Sequence, residues 1–272
     1  KLSVNWDRYN ESYFKFVSCT GSYNTDLVVE LSASETSNIY YSLDGSAPSQ
    51  QSQLFTSAID IQTTTVVTFF AIDLVGNQEA SMNTITLTID KQDPVTSASV
   101  SSGLYNSNQT VDLTTNEAAD IFYTLDGSNP TQSSTVFSTP INIQSSTTLN
   151  YFSKDVAGNT ESMQTVSIQI DKQFPQTTAS LSSGRFAQNQ SLELTVTEPG
   201  VIYFTLDGST PSTNSTIYSS AILIENTTTI NYFSVDTALN EESSKSISII
   251  IDKDSAISTS SVLAGIYKSN QS

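Results

Sequence analysis

The feature that most constrains this chain is a ten-residue segment that occurs three times at nearly equal spacing. The copies read IYYSLDGSAP at residues 39–48, IFYTLDGSNP at 121–130 and IYFTLDGSTP at 202–211. A second recurring element is a run that ends each repeat with Ile-Asp-Lys, and its aspartates Asp90, Asp171 and Asp252 lie 81 residues apart. A fixed period of this length indicates that each repeat is one structural unit. The chain of 272 residues therefore holds three complete modules.

Short apolar runs alternate with polar residues within each repeat. Val111 and Leu113 alternate in this way, as do Ile141 and Ile143. A period of two places one side of a strand inside and the other outside, and β-branched and aromatic residues dominate these runs. Several short strands separated by turn signals predict an all-β fold, with one antiparallel Ig-like sandwich for each repeat.

Two turns recur with the repeat. The Asp-Gly pairs that begin at residues 44, 126 and 207 favour a tight turn with a positive φ at the glycine. A second turn, of the type Asp-x-x-Gly-Asn, begins at Asp73 and Asp155, and its third copy carries Leu239 in place of the glycine. We expect either that Asn240 takes the positive φ there or that this turn has a different geometry.

The landmarks divide the chain into five segments. Residues 1–8 are similar to a closing strand, and residues 253–272 are similar to the start of a module. Between them lie modules at residues 9–90, 91–171 and 172–252. A lone closing strand and a lone opening strand cannot each bury a face. Two explanations remain open: the sequence is an excerpt from a longer array, or terminal strands exchange between identical subunits.

The LDGSxP segment, the apolar strand at residues 140–143, the aromatic strand at residues 151–153 and the Asp-x-x-Gly-Asn turn together resemble a known module. They are similar to the chitobiase/β-hexosaminidase C-terminal-type domain, and the similarity recurs three times along the chain. This resemblance implies a fibronectin-III-like or Ig-like sandwich. It also implies a non-catalytic appendage of the kind found in extracellular glycosidases, adhesins and surface proteins. Fold alone does not give function.

Composition excludes several classes of function. The chain has no histidine and a single cysteine, Cys19, so a Ser-His-Asp or Cys-His arrangement and a His/Cys zinc site are excluded within it. Ten basic residues against a net charge of −17 argue against nucleic acid and anionic membrane surfaces as partners. Paired carboxylates could hydrolyse glycosides, but here the acids repeat in every module. We therefore expect no enzymatic activity.

Acidic residues recur in phase with the repeat, and they are the candidates for Ca²⁺, which binds oxygen ligands and often stiffens module junctions. The alternative is that these acids cap turns and solvate strand ends. The place to look is the region of Asp73, Glu79 and Asp90 and its repeats. The full candidate set is Asp73, Glu79, Asp90, Asp155, Glu161, Asp171, Asp236, Glu242 and Asp252.

Two features point to glycans. Asn-x-Ser/Thr acceptor sequences occur at Asn10, Asn108, Asn189, Asn214, Asn226 and Asn270, and Asn108, Asn189 and Asn270 share one position of the repeat. This recurrence favours surface glycosylation if the host modifies asparagine. Adjacent aromatic pairs occur at Tyr40 and Tyr41, Phe122 and Tyr123, and Tyr203 and Phe204. One ring of each pair points outward, where it either stacks on a sugar or packs under a loop.

These observations predict a non-catalytic structural repeat segment of an extracellular or cell-surface protein, such as a stalk, an adhesin, or a component of a filament or surface layer. Its expected partners are neighbouring modules of the same chain, a homo-polymer or a surface glycan. The alternative is a set of accessory carbohydrate-binding or spacer modules of a secreted glycoside-active enzyme. Self-assembly through strand edges is a third possibility.

Overall fold

A computed structural model describes residues 15–16 and 20–259, and all regular elements among them are β-strands. The chain forms two compact units, residues 1–103 with 108–169 and residues 104–107 with 170–272. The described part of the chain contains no helix of the length and apolarity that a membrane span requires. The strands form the same pattern three times, and we call these the first, second and third repeat.

The described residues of the first repeat form eight strands. They are β1 (Lys15–Phe16), β2 (Gly21–Tyr23), β3 (Leu27–Val29), β4 (Ser37–Ser42), β5 (Gln53–Leu54), β6 (Ile59–Ile61), β7 (Thr65–Asp73) and β8 (Asn83–Ile89). One sheet has the order β1-β3-β6 and the other the order β2-β8-β7-β4-β5.

The second repeat contains nine strands. They are β9 (Thr96–Ala98), β10 (Gly103–Tyr105), β11 (Gln109–Val111), β12 (Leu113–Thr115), β13 (Ala119–Thr124), β14 (Thr135–Val136), β15 (Ile141–Ile143), β16 (Thr147–Asp155) and β17 (Gln164–Ile170). Its large sheet has the order β10-β17-β16-β13-β14, and β11 pairs with β15 and β12 with β9.

The third repeat has the same nine strands. They are β18 (Thr177–Ala179), β19 (Gly184–Phe186), β20 (Gln190–Leu192), β21 (Leu194–Val196), β22 (Gly200–Thr205), β23 (Thr216–Ile217), β24 (Ile222–Ile224), β25 (Thr228–Asp236) and β26 (Lys245–Ile251). The large sheet has the order β19-β26-β25-β22-β23, with β20 paired to β24 and β18 to β21.

Most pairings are antiparallel, as the sequence predicts, but one edge of the large sheet is parallel. In the first repeat β2 runs parallel to the closing strand β8, with Gly21 opposite Leu87, and β19 runs parallel to β26 in the third. A parallel partner needs a long crossover connection. Here that connection is almost the whole repeat, so this pairing joins the start of each module to its end.

The core lies between the two sheets and is formed by the inward residues of the alternating strands. In the first repeat it includes Leu27, Ile61, Val67 and Leu87. The third repeat has an equivalent cluster that includes Ile230 and Ile249. Each of these side chains is at most 2% exposed. The predicted fold class is therefore confirmed in its packing as well as in its strands.

The outer face of the large sheet is covered by the LDGSxP loop, which the sequence pattern did not predict. The side-chain amide of Asn150 on β16 donates to the backbone carbonyls of Gly127 and Ser128 at 2.9 and 3.1 Å. Asn231 donates to Gly208 and Ser209 in the same way. The loop is therefore held against the sheet, and the long central strand of each repeat is buried on both faces.

The Asp-x-x-Gly-Asn turn keeps its geometry in all three repeats. Gly76 and Gly158 have φ values of 96° and 100°, and Leu239 has a φ of 69° at the same place. Neither sequence-based expectation for this turn was right, because Leu239 itself takes the left-handed conformation and Asn240 does not. A non-glycine residue there costs roughly 1–2 kcal/mol.

Replacing Leu239 with glycine is therefore expected to stabilise the third repeat by up to about 1 kcal/mol. The relief of backbone strain exceeds the extra chain entropy that glycine loses on folding, and little packing is lost because Leu239 is 70% exposed. Urea denaturation of the third repeat measures this gain. The reciprocal control is Gly76→Ala, whose added Cβ would meet no atom within 4 Å, so that only strain lowers stability. A destabilising L239G would contradict this account.

Candidate functional site at the repeat junctions

The ends of the first two closing strands contact the repeat that follows each of them. After β8, the backbone N–H of Asp90 donates to the Tyr23 carbonyl at 2.9 Å. The carbonyl of Asp90 accepts a hydrogen bond from the side-chain amide of Asn159 at 2.9 Å. Asn159 belongs to the Asp-x-x-Gly-Asn turn of the second repeat, where its amide also donates to Asp155 Oδ2 at 2.7 Å. This turn therefore joins two neighbouring repeats.

The same contact recurs at the following junction. Asn240 donates to the Asp171 carbonyl at 3.0 Å and to Asp236 Oδ2 at 2.8 Å. Both asparagines and both turn aspartates are buried. This hydrogen bond occurs at both junctions, and the groups that form it are buried. Because buried polar groups are nearly always paired, it is part of the contact between neighbouring modules.

Three carboxylates meet at each of these junctions, and we call them the junction acids. One group comprises Asp90, Glu117 and Asp155, and the other comprises Asp171, Glu198 and Asp236. Within each group the carboxylate oxygens lie within 4.8 Å of one another. The described residues contain these two groups of three clustered carboxylates.

The charge of the junction acids acts on two of their members, Glu117 and Glu198. Burial raises the pKa of Glu117, and the nearby carboxylates of Asp90 and Asp155 raise it further. Burial and the carboxylates of Asp171 and Asp236 raise the pKa of Glu198 in the same way. Like charges in close contact disfavour the ionised form, so each junction carries an electrostatic repulsion at neutral pH.

The grouping differs from the sequence-based expectation, which looked for Asp73, Glu79 and Asp90 within one repeat. The structure instead brings the closing aspartate to the acids of the following repeat. Glu161 and Glu242 lie elsewhere, and Asp73, Glu79 and Asp252 are in no such group among the described residues. Glu117 and Glu198 were not among the candidates, although their spacing of 81 residues was available in the sequence.

Three carboxylates are suitable donors for Ca²⁺, which takes six to eight oxygen ligands. The junction acids would supply one oxygen or two each, and backbone carbonyls and water would supply the rest. Calcium binding at the junctions stays a prediction.

The glutamates that recur after the turn, Glu161 and Glu242, have a different role in the fold. Glu161 is buried and accepts hydrogen bonds from the Thr96 N–H at 2.9 Å and from the Ser153 N–H and hydroxyl at 3.2 and 2.9 Å. Glu242 does the same for Thr177 and Ser234 and also contacts Lys245. Burial raises the pKa of Glu242, but these hydrogen bonds outweigh burial and lower it overall. Through these hydrogen bonds the two carboxylates hold the first strand of their repeat against its central strand.

Four of the six acceptor asparagines fall in the described part of the chain. Asn108, Asn189, Asn214 and Asn226 are all exposed and lie outside the strands, and Asn10 and Asn270 lie outside the described residues. Asn189 is 3.5 Å from Glu225 Oε1. These positions are accessible for modification, and glycosylation itself stays a prediction.

The outward aromatic rings stack on rings of the neighbouring central strand. Tyr40 stacks on Phe70 with ring centroids 5.7 Å apart. Phe122 stacks on Phe152 at 5.3 Å, and Phe122 is only 8% exposed. Their inward neighbours, including Tyr41 and Phe204, pack against the core. Because Tyr40 is only half-buried, sugar binding on this face stays a prediction.

The strand order and the paired sheets around one core define the class of protein: a tandem series of Ig-like or fibronectin-III-like β-sandwiches. A family model described as the Chitobiase/beta-hexosaminidase C-terminal domain matches residues 19–86, 100–165 and 181–246. Because the three matches cover well over half of the chain, the chain belongs to this family. A comparison with curated protein sequences finds no match.

Solved structures with a similar fold include fibronectin(III)-like modules of Clostridium thermocellum CbhA, which are 10% identical with a TM-score of 0.34, over 58% of this chain and 94% of that one. The N-terminal eight Ig domains of DSCAM are 12% identical with a TM-score of 0.42, and the match covers 87% of this chain and 36% of that one. Drosophila OTK extracellular domains 3–5 are 10% identical with a TM-score of 0.31, over 88% and 95%. At these TM-scores the similarities carry no argument about function.

Replacing Glu117 with glutamine is expected to raise the thermal midpoint of unfolding of the second repeat at pH 7, because it removes one of three mutually repelling charges. The gain in the thermal midpoint should shrink as pH falls toward the ordinary Glu value of 4.5. Because its pKa is raised, wild-type Glu117 takes up a proton at higher pH in the folded state than in the unfolded state, and this proton removes the same charge. Calorimetry across this pH range measures it, with exposed Glu193→Gln as control. If Ca²⁺ binds, about 1 mM of it stabilises the wild type more than the variant.

Proposed function

We propose that this chain is a non-catalytic structural segment of an extracellular or cell-surface protein, in which the repeats are mechanically connected units of a stalk, adhesin or filament. The observation that supports this most directly is the hydrogen bond from Asn159 to the Asp90 carbonyl, repeated by Asn240 and Asp171. The hydrogen bond between the first and second repeats restrains the angle between these two neighbours, and a load-bearing array needs that restraint.

Two further observations support a structural role. The acidic residues recur at the same position of each repeat, where they form turns and junctions or bind a strand. Glu161, for example, binds the first strand of the second repeat. The chain also lacks histidine entirely, so the commonest general base is missing. The family description places such domains at the C-terminus of chitobiase and β-hexosaminidase. An accessory sugar-binding role is less well supported, because the outward ring of Phe122 is buried against Phe152.

The junction contact can be tested by measuring the distance distribution between the first and second repeats. Dyes attached to cysteines at Gln51 and Ser133, with Cys19→Ser, occupy equivalent positions of the two repeats. Asn159→Ala is expected to broaden the single-molecule energy-transfer distribution, because Asp90 loses its partner from the next repeat.

The matched control is Asn150→Ala, which removes three side-chain hydrogen bonds of similar length within the second repeat alone. It should lower stability without changing the width of the distribution. A broad distribution in the unsubstituted protein, or equal widths for N159A and N150A, would contradict a restrained junction. Immunogold electron microscopy of the native material tests the extracellular location.

A further inference from the structure

The first repeat contains a groove at the position where each of the other two repeats holds a strand. The groove encloses about 670 Å³ and is lined by residues 32–34, Glu79 and Asn83, with the core residues Ile39 and Phe69. No described strand pairs with residues 31–33. Their backbone is therefore available to an added strand.

In the second repeat this position is occupied by β9. The strand equivalent to residues 31–33 is β12, which pairs with β9 in an antiparallel ladder with Thr115 opposite Thr96. The Thr96 N–H donates to Glu161 Oε1 at 2.9 Å. Because β9 belongs to the segment that follows Asp90, the end of the first repeat supplies the first strand of the second.

The third repeat is completed in the same way. Its β21 pairs with β18, and the Thr177 N–H of β18 donates to Glu242 Oε1 at 2.9 Å. The strand β18 belongs to the segment that follows Asp171. In both cases the segment after a closing aspartate adds a strand to the next repeat and donates to its glutamate.

Glu79 stands at the position of these two glutamates in the first repeat. Its Oε2 accepts from the Ala71 N–H at 3.2 Å, as Oε2 of Glu161 accepts from the central strand of the second repeat. Its Oε1 accepts from the Asn83 amide at 2.9 Å. Glu79 is exposed, whereas its two counterparts are 8% and 5% exposed. The carboxylate is therefore placed to receive a strand, and it is open to a partner.

Glu79 Oε1 can accept a further N–H although Asn83 already donates to it. In the third repeat, Glu242 Oε1 accepts the Thr177 N–H and also contacts the ammonium of Lys245, which stands where Asn83 stands. A carboxylate oxygen has two lone pairs and takes two donors at once. The Asn83 contact therefore does not close the site.

The turn of the first repeat is open in the same way. Asn77 donates to Asp73 Oδ2 at 2.8 Å. In the other two repeats the equivalent amide also donates to the carbonyl of the preceding closing aspartate, and it is buried. Asn77 is exposed, and its second N–H has no acceptor among residues 15–16 and 20–259. Both groups that hold a preceding segment are therefore accessible.

The segment after the third closing aspartate is the matching strand. The Asp254 N–H donates to Asp252 Oδ1 at 3.1 Å, and the same bond begins the two other linkers at 3.0 and 2.9 Å. Beyond it, residues 255–259 are exposed and pair with no strand in the part of the chain that the structure describes. Ile257 is 88% exposed.

The sequence of this segment suits the groove. Six residues after each closing aspartate stand Thr96, Thr177 and Ser258, which all have small hydroxyl side chains. The two threonines are 6% and 1% exposed in their filled positions. Ile257 and Thr259 flank Ser258 and are β-branched, as strands prefer.

We propose that the groove of the first repeat binds residues 252–259 of a second copy of this chain, so that copies join end to end. The Ser258 N–H donates to Glu79 Oε1, and Ser258 lies opposite Ala33 in an antiparallel pair. The Asp252 carbonyl accepts the second N–H of Asn77. This inference rests on the proposed function, because it extends the junction seen between repeats of one chain to two chains.

The test is the self-association of the full chain, measured by sedimentation velocity over a range of concentrations. The unmodified chain should form dimers and longer species. Ser258→Pro removes the N–H that binds Glu79 and should raise the Kd at least about tenfold. The matched control is Ala256→Pro, because Pro94 and Pro175 occupy this position in the two filled grooves. It should leave association unchanged or tighten it.

A disulfide between two differently tagged chains tests the register. One chain carries Ala33→Cys and the other Ser258→Cys, each with Cys19→Ser. On mild oxidation this pair should cross-link at least about tenfold faster than Ala33→Cys with Ile257→Cys, because neighbouring side chains point to opposite faces of a strand and disulfides need short Cβ–Cβ distances. Mass spectrometry identifies the cross-linked dimer.

Three results would overturn this proposal. They are a chain that stays monomeric up to about 1 mM, association that the two proline variants weaken equally, and equal cross-linking rates for the two cysteine pairs. Each would show that residues 252–259 of a second copy do not fill the groove. The energy-transfer test of the Asn159 junction is made within single chains, so it decides the proposed function separately.

Discussion

Replacing Leu149 with alanine is expected to lower the stability of the second repeat by about 3–4 kcal/mol. Leu149 lies in the central strand β16 opposite Val166 and has no exposed surface. Truncation removes the transfer free energy of its side chain and leaves a cavity, because close-packed neighbours on both sheets relax only in part. A loss of this size is a large part of the stability of a domain of about 80 residues.

Hydrogen exchange resolved by repeat measures this loss, because it reports the opening free energy of each module separately. The amides of β16 should lose protection, and those of β7 in the first repeat should keep most of theirs. Val136→Ala provides the control, since Val136 is 47% exposed on an edge strand and should change stability by less than about 0.5 kcal/mol. A loss below about 1 kcal/mol for L149A would mean that the core around β16 is not packed as described.

Replacing Glu161 with alanine is expected to lower the stability of the second repeat by about 2–4 kcal/mol. The carboxylate accepts from the N–H groups of Thr96 and Ser153 and from the Ser153 hydroxyl. Without it these donors are buried and unpaired, and each such group costs roughly 1–3 kcal/mol. The first strand of the repeat, β9, should be released before the rest of the module unfolds.

The order in which backbone amides exchange with solvent distinguishes the attachment of β9 by Glu161 from a general loss of packing. In E161A the amide of Thr96 should exchange early, while Leu149 stays protected until the module unfolds. Exposed Asp120→Ala is the matched acidic control and should have little effect. Glu161→Gln keeps one acceptor oxygen and should show an intermediate loss. Equal losses of protection at Thr96 and Leu149 would contradict a strand-fastening role.

Much of the fold could be predicted, because the information was local and repeated. The alternation in β15 and β17 and the spacing of the Asp-Gly turns indicated strands of a sandwich, and these strands are present. The same reasoning could not show that the LDGSxP loop lies on the outer face of β16. The amide of Asn150 donates to carbonyls of a loop more than twenty residues away along the chain, and the local pattern does not show this contact.

The candidate site was predicted less well, for a physical reason. A carboxylate in a recurring turn has the same sequence pattern whether it fastens a strand, as Glu161 does, or faces other acids, as Asp155 does. The junction acids come from different repeats, and only folding decides which repeat each carboxylate meets. The backbone conformation of Leu239 could not be predicted from the sequence either. The surrounding turn holds this residue at a positive φ that its own preference opposes.

The number of repeats, the all-β class, the alternating core strands and the absence of histidine-based chemistry follow from the sequence alone, because each depends only on residue type and spacing. The positions of the polar groups depend on the folded chain. Folding pairs Asn159 with the end of the preceding repeat and places Glu161 under the first strand of its own. These hydrogen bonds and packing contacts join residues that are distant in sequence. Their partners come into contact only when the chain folds.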